Sequence, residues 1–148
     1  NHLALGTELG LMIYKPSADS MNRWSRPTGL DDRMASLAVK AIEFDAAGRL
    51  YVGTDDGIYV LSSTFEYVRA YSTADGLFTN EINAITVTSA GRVYVGTTGG
   101  LNALDEMSDT WTPVIIGDVL GGAAVYDLFE GSDNRLWFRT NSGVGRLN

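Results

Sequence analysis

The sequence predicts an all-β fold, a β-propeller of four-stranded antiparallel blades, on the strength of two observations. A short phrase recurs along the chain, and every copy ends in a threonine, at Thr7, Thr54, Thr97 and Thr140. The copies lie about 43–47 residues apart, which is a period typical of propeller blades. Around the central copies, short runs of apolar and β-branched residues are bounded by Gly, Asp and Ser, as expected for strands joined by tight turns.

The first complete copy predicts four strands, named a to d. Strand a covers 41–45, strand b 49–54, strand c 58–61 and strand d 67–71. The next copy repeats this order at 84–88, 92–97, 101–104 and 111–116. Residues 31–40 could form a short helix, but their place between strands d and a favours a loop.

These boundaries predict one domain, 1–148, of about three and a half blades. Partial blade b-c-d covers 1–25, complete blades cover 38–72 and 82–116, and partial blade a-b-c covers 124–148. An incomplete ring exposes sheet faces and edges. Three arrangements are open: part of a larger ring, which is favoured, a homo-oligomer that completes a ring, or a small closed ring of incomplete blades.

Residues that recur at one position of the repeat are expected to pack between blades. A glycine inside a strand usually marks close approach of another backbone, as at Gly53 and Gly96. Arg139 takes this position in the last copy, either as a surface residue or as a ligand contact. The aromatic residues at a shared position are Tyr51, Tyr94 and Trp137. The expected core comprises Ile42, Phe44, Leu50, Val52, Ile85, Val87, Val93, Val95, Leu128 and Leu136.

The composition excludes several classes of partner. The formal net charge of −7 argues against nucleic acid and against direct contact with an anionic membrane. The chain has no cysteine, so it has neither a disulfide nor a thiolate nucleophile. No apolar run approaches the length of a membrane span, and the first residues do not form a signal peptide.

The run from Thr73 to Ile85, which contains Asp75-Gly76-Leu77, resembles the blade junction of two-component regulator propellers. The resemblance continues through Val93-Tyr94-Val95-Gly96-Thr97 and Gly99-Gly100-Leu101. It departs from the family where tyrosine replaces the usual tryptophan and where Arg139 replaces glycine. The resemblance implies a periplasmic or extracellular sensor region of a bacterial hybrid histidine kinase. Such regions bind and transmit, often in response to carbohydrates, and do not catalyse.

Two alternatives come from other classes of protein. One is a scaffold propeller that binds protein. The other is a fragment of a propeller lyase or lactonase, because Asn134–Phe138 followed by Gly143–Leu147 resembles a streptogramin-lyase blade. That resemblance implies a histidine-using, magnesium-assisted site, but the single histidine, His2, lies at the terminus. The lactonase type implies Glu, Asn and Asp ligands, and the candidates Asp75, Asp118 and Asn83 sit at ordinary turn positions. No catalytic residue, metal ligand or cofactor is therefore expected.

The binding site is predicted on the face where the d–a loops and the b–c turns emerge, because functional contacts concentrate in long loops. The partner is expected to be a carbohydrate or another small ligand, or a protein. Phe78 is the sharpest candidate, since an exposed apolar ring often anchors a partner. Asp75 and Asp118 share one repeat position, so turn capping is the alternative explanation for them. The candidate residues are Arg26, Asp31, Asp32, Arg33, Asp75, Phe78, Asn80 and Asp118.

Overall fold

Fourteen strands in four antiparallel sheets make up the described part of the chain, and the predicted all-β fold class is confirmed. The computed structural model describes residues 2–16, 18, 23–27, 29, 37–115 and 122–147. Among these residues the one helical element is a single 3₁₀ turn, η1 (Thr73–Asp75), between two sheets.

Each sheet is one blade, and its strands follow chain order from one edge to the other. Blade 1 contains β1 (Leu3–Thr7), β2 (Gly10–Tyr14) and β3 (Trp24–Ser25). Blade 2 contains β4 (Val39–Phe44), β5 (Leu50–Thr54), β6 (Gly57–Leu61) and β7 (Tyr67–Tyr71). Blade 3 contains β8 (Ile82–Val87), β9 (Val93–Thr97), β10 (Gly100–Asp105) and β11 (Thr110–Pro113). Blade 4 contains β12 (Val125–Glu130), β13 (Leu136–Thr140) and β14 (Gly143–Arg146).

The recurring threonine closes the turn between the second and third strands of a blade. In blade 2, Thr54 Oγ1 donates to the Gly57 carbonyl at 2.9 Å and accepts the Asp56 N–H at 3.0 Å. Thr97 repeats both bonds in blade 3, and Thr7 and Thr140 repeat them in the partial blades. A hydroxyl that both donates and accepts meets the needs of this turn, which explains the copies in the sequence.

The blades pack face to face through three buried clusters, one for each pair of neighbours. Tyr51 of blade 2, for example, lies in a cluster with Val93 and Val95 of blade 3. The innermost strands also meet, since β4 contacts β1 and β8, and β8 contacts β12. A Cβ placed at Gly53 would lie 2.5 Å from Ile82 Cγ2, and one at Gly96 would lie 2.7 Å from Val125 Cγ1. These glycines therefore make room for the first residue of the next blade.

The expected core is largely buried, with one error. Seven of the expected residues are buried: Leu50, Val52, Ile85, Val93, Val95, Leu128 and Leu136. Ile42 and Val87 are half-buried at the edge of the clusters. Phe44 is 43% exposed at the end of β4, where its ring meets that of Phe65 edge-on, with the centroids 6.3 Å apart.

Three strand limits differ from the prediction by two or more residues, and β8, for example, begins at Ile82 and not at 84. β4 begins at Val39, inside the stretch predicted as a loop, and β11 ends at Pro113, short of the predicted Ile116. Proline lacks the N–H that would extend the hydrogen-bonded ladder. Ile115 beyond it is 82% exposed, and Ile116 lies outside the described residues.

Candidate functional site

The d–a loop between β7 and β8 and the b–c turn between β9 and β10 meet at one end of the blades, here called the loop face. Thr79 Oγ1 lies 2.9 Å from Thr98 Oγ1, and the Thr98 N–H donates to the Glu81 carbonyl at 3.2 Å. The same loop reaches the b–c turn of blade 2, where the Gly57 N–H donates to the Asn80 carbonyl at 2.8 Å. The loop at 72–81 is thus held by the turns of two blades.

The Asp75 carboxylate holds the start of this loop. Its Oδ2 accepts the Ser72 N–H at 2.8 Å, while the Ser72 hydroxyl accepts the Ala74 N–H, which together cap η1. Its Oδ1 pairs with Arg69 at 3.3 Å. Gly76 then reverses the chain with a φ of 97°, a left-handed conformation that favours glycine. The turn-capping explanation accounts for the Asp75 carboxylate.

Arg69 joins the loop to the outer edge of blade 3. Besides Asp75 it pairs with Asp109, and its guanidinium lies over the Tyr71 ring, 3.9 Å from the centroid. The Tyr71 hydroxyl donates to Asp109 Oδ1 at 2.6 Å. Burial raises the pKa of Tyr71, and the positive charge of Arg69 opposes part of that rise. This cluster fixes blade 2 against blade 3 at the base of the loop.

Two asparagines hold the rest of the loop, and only Asn80 is among the predicted site residues. Asn80 Oδ1 accepts the Thr73 N–H at 2.8 Å, which closes the loop on itself. Asn102 is fully buried in β10, where its Nδ2 donates to the Gly76 carbonyl and its Oδ1 accepts the Phe78 N–H, both at 3.1 Å. The sequence signal for Asn102 is an amide inside an apolar strand, because a buried polar group needs hydrogen-bond partners.

Phe78 lies on the loop face and is 41% exposed. One side of its ring covers the Gly99–Gly100 turn, where a Cβ at Gly100 would lie 2.9 Å from Phe78 Cε2. The rest of the ring is exposed, and the loop face also carries the hydroxyls of Thr79 and Thr98, which lie 2.9 Å apart. An exposed apolar ring can stack on a flat or apolar group of a ligand, and hydroxyl groups of the same face can hydrogen-bond to that ligand.

The other predicted site residues are not brought to Phe78. Arg26 is exposed just after β3, and no contact among the described residues joins it to the loop at 72–81. Asp31, Asp32, Arg33 and Asp118 lie outside the described residues.

In the described ranges, no group of three or more His, Cys, Asp or Glu side chains could hold a metal ion. His2 packs its ring edge-on against Phe65, with the centroids 5.3 Å apart. No helix long and apolar enough to cross a membrane is found in the described residues.

Comparison with known proteins identifies the repeat around the loop face. Residues 76–99 match the family model described as "Two component regulator propeller". The extracellular domain of the hybrid two-component system BT3049 of B. thetaiotaomicron has a similar structure, with a TM-score of 0.76 at 19% identity. That match covers 99% of this chain and 20% of the other. The extracellular domain of the hybrid two-component system BT4673 of the same organism gives a TM-score of 0.74 at 17% identity, with the same coverage.

Propeller enzymes share the fold as well. Virginiamycin B lyase from Staphylococcus aureus gives a TM-score of 0.65 at 14% identity, over 95% of this chain and 49% of the lyase. No curated protein matches the chain. This chain spans about a fifth of the length of the two-component domains that it resembles. Likenesses at such identities establish the propeller fold, and residues 76–99 of this propeller match the model of a two-component regulator propeller repeat.

Proposed function

We propose that this chain is a non-catalytic binding module in the periplasmic or extracellular sensor region of a bacterial two-component signalling receptor. The observation that carries the proposal is the position of the family match. It begins at Gly76, continues through Phe78, β8 and β9, and ends at Gly99. Phe78 and Gly99, where a Cβ would lie 3.1 Å from Phe78 Cβ, therefore both lie inside the matched repeat.

The ligand proposed for the loop face is a carbohydrate or another small polar molecule. Phe78 offers an exposed apolar ring to the flat side of such a ligand, and the hydroxyls of Thr79 and Thr98 are polar groups of the same loop face. The loop is pre-organised by Asn102 and Asp75, so little conformational entropy is lost on binding. Two-component domains of similar fold support the assignment to a sensor region.

A thermal-shift screen against an oligosaccharide panel tests this proposal. A ligand that binds only the folded state adds about 2.7 kcal/mol to the free energy of unfolding when its concentration is 100 times its Kd. The melting temperature rises as a result. Phe78→Ala is expected to abolish the shift. Met107→Ala is the matched control, because Met107 is 98% exposed on the c–d loop of blade 3, at the opposite end of the blades.

The control also reports on a second surface. Met107 borders an open groove of about 460 Å³, which Arg92 and Asp105 also line. If Met107→Ala removes the shift and Phe78→Ala keeps it, the ligand binds at that groove and the loop face is wrong. If Phe78→Ala leaves every detected binding activity and the stability unchanged, this face is not the site.

The scaffold alternative makes a different prediction about the gene. A transmembrane helix and a histidine kinase encoded downstream would support the sensor, whereas a secretion-sorting domain there would support a scaffold that binds protein. A lyase would instead convert a substrate, and turnover by the purified chain would contradict the non-catalytic proposal.

A further inference from the structure

The a–b turns of blades 3 and 4 border a pocket at the end of the blades opposite the loop face. These turns join β8 to β9 and β12 to β13, and antiparallel pairing places them away from the b–c turns. The pocket has a volume of about 240 Å³, which is below the roughly 300–1,000 Å³ of a drug-sized site and suits one small molecule. The side chains that line this a–b pocket include Ser89, Arg92, Tyr94, Glu130, Leu136 and Leu147.

Arg92 is the cation of the a–b pocket, and it has no counterion among the described residues. One repeat earlier, Arg49 donates through its N–H and its Nε–H to the two oxygens of Asp45, at 2.8 and 2.5 Å. Thr88 takes the Asp45 position in blade 3, and its Oγ1 accepts the Arg92 N–H at 3.1 Å but carries no charge. The other counterion of Arg49, Glu106, lies further away, at 3.6 Å. The Arg92 guanidinium can therefore donate to the carboxylate of a ligand.

Glu130, at the end of β12, is the anion of the a–b pocket. Its two oxygens accept the N–H and the hydroxyl of Ser89, at 2.7 and 3.0 Å. A carboxylate offers about four lone-pair sites, so each oxygen can accept one more bond. Like Arg92, Glu130 forms no ion pair among the described residues. Between blades 2 and 3 the same repeat positions carry Val87 and Ala46, so this carboxylate is particular to the gap between blades 3 and 4.

An apolar floor lies between these two charges. Leu136 is buried in the cluster between blades 3 and 4, and Tyr94 and Leu147 pack against that cluster. All three side chains line the a–b pocket. The Arg92 guanidinium lies 5.5 Å from the centroid of the Tyr94 ring, so the cation and the aromatic ring share one side of the pocket. The floor can therefore bury a small apolar group next to a charged one.

We propose that the a–b pocket binds an amino acid with an apolar side chain. The ligand carboxylate pairs with Arg92 as Asp45 pairs with Arg49, because a guanidinium matches the two oxygens of a carboxylate. The ligand ammonium donates to Glu130, and its side chain lies on the apolar floor. A zwitterion suits two opposite charges that do not pair with each other. A simple acid would bring a like charge towards Glu130, and a simple amine would bring one towards Arg92.

This pocket is separate from the loop face and shares no lining residue with it. Its lining residues belong to the first three strands of each blade and to the residues that directly follow those strands. Fourth strands meet nearer the outer edge, where β7 and β11 bring Tyr71 and Trp111 together with ring centroids 5.5 Å apart. Binding at the a–b pocket and binding at Phe78 are therefore tested independently.

Isothermal titration calorimetry with L-valine, L-leucine and L-phenylalanine tests the proposal. At least one of the three is expected to bind, and the tightest is then compared with two analogues. One analogue is the carboxylic acid without the amino group, and the other is the amine without the carboxyl group. Each analogue is expected to bind about tenfold or more weakly, because each loses hydrogen bonds between charged partners.

Two variants assign the charges. Arg92→Gln is expected to bind the amino acid no better than the amine, and Glu130→Gln no better than the acid. Arg135→Gln is the matched control and is expected to keep the wild-type affinity, since Arg135 takes the same repeat position in blade 4 but does not line the pocket. Circular dichroism melts verify folding, and Arg92→Met or Glu130→Val replaces a variant that fails to fold. The proposal is overturned if none of the three amino acids binds, if the analogues bind as tightly, or if either charge variant keeps the wild-type affinity.

Discussion

Neighbouring blades approach each other closely at Gly53, and this contact decides whether alanine at position 53 stabilises or destabilises the chain. A Cβ at this position would lie 2.5 Å from Ile82 Cγ2 and 3.1 Å from Ile85 Cδ1, whereas ordinary contacts begin at 3.4 Å. Gly53→Ala is therefore expected to destabilise the chain by about 1–3 kcal/mol, the usual cost of overpacking a core. Gly53 does not have a positive φ, so alanine suits its backbone and without the contact would stabilise by about 0.4–1 kcal/mol.

The reasoning is tested most directly by adding Ile82→Ala. Alone, this change is expected to cost about 2–5 kcal/mol, because it leaves a cavity at a fully buried position. It also removes the Cγ2 atom that the new Cβ of Ala at position 53 would meet. The double variant is therefore expected to be more stable than the sum of the two single effects by about 0.5–3 kcal/mol.

Thermal or urea unfolding measures these differences, and for a chain of this size 1 kcal/mol corresponds to a change of about 2–4 °C in melting temperature. A Gly53→Ala variant more stable than the wild type would refute the close contact. Two effects that add within about 0.5 kcal/mol would show that position 53 does not meet Ile82.

The remaining predictions concern the loop and the inter-blade tyrosine. Asn102→Leu leaves the Gly76 carbonyl and the Phe78 N–H without their partner and is expected to cost about 1–3 kcal/mol, with faster hydrogen exchange at Phe78. Burial raises the pKa of Tyr51 to about 12, and nearby Arg49 opposes that rise. Because the folded state holds this proton more tightly than the unfolded chain, whose tyrosines titrate near about 10, the resulting stability is present below that pH and lost towards pH about 12. Tyr51→Phe is expected to weaken the loss of stability over this alkaline range, as followed by circular dichroism melts, and an unchanged profile would contradict the assignment.

The loop that carries the candidate site shows where prediction from sequence stopped. The repeat predicts that Asp75 and Asn80 lie in the loop between strands d and a, and turn capping is the alternative explanation for Asp75. Nothing in the spacing indicated that Asn102 would reach across from β10 to the Phe78 N–H. That bond joins residues that are distant in sequence, and it forms only when blade 3 is assembled beneath the loop.

Arg139 also shows where prediction from sequence stopped. The sequence revealed that Arg139 replaces a glycine, and it left open whether this residue lies on the surface or contacts a ligand. The structure adds that Arg139 is exposed, with its guanidinium 5.4 Å from the centroid of the Tyr126 ring. It also adds that the glycine position is where the next blade makes contact.

By itself, the sequence determined the fold class and the place of most strands, because each blade is a local unit whose apolar alternation, turn glycines and recurring threonine repeat at a fixed period. Tertiary structure alone decided which side chains of one blade meet those of the next, and therefore that Phe44 is exposed while Asn102 is fully buried. The physical reason is that burial depends on the twist and spacing of neighbouring sheets. Those contacts join residues of different repeats, which a pattern within one repeat does not encode.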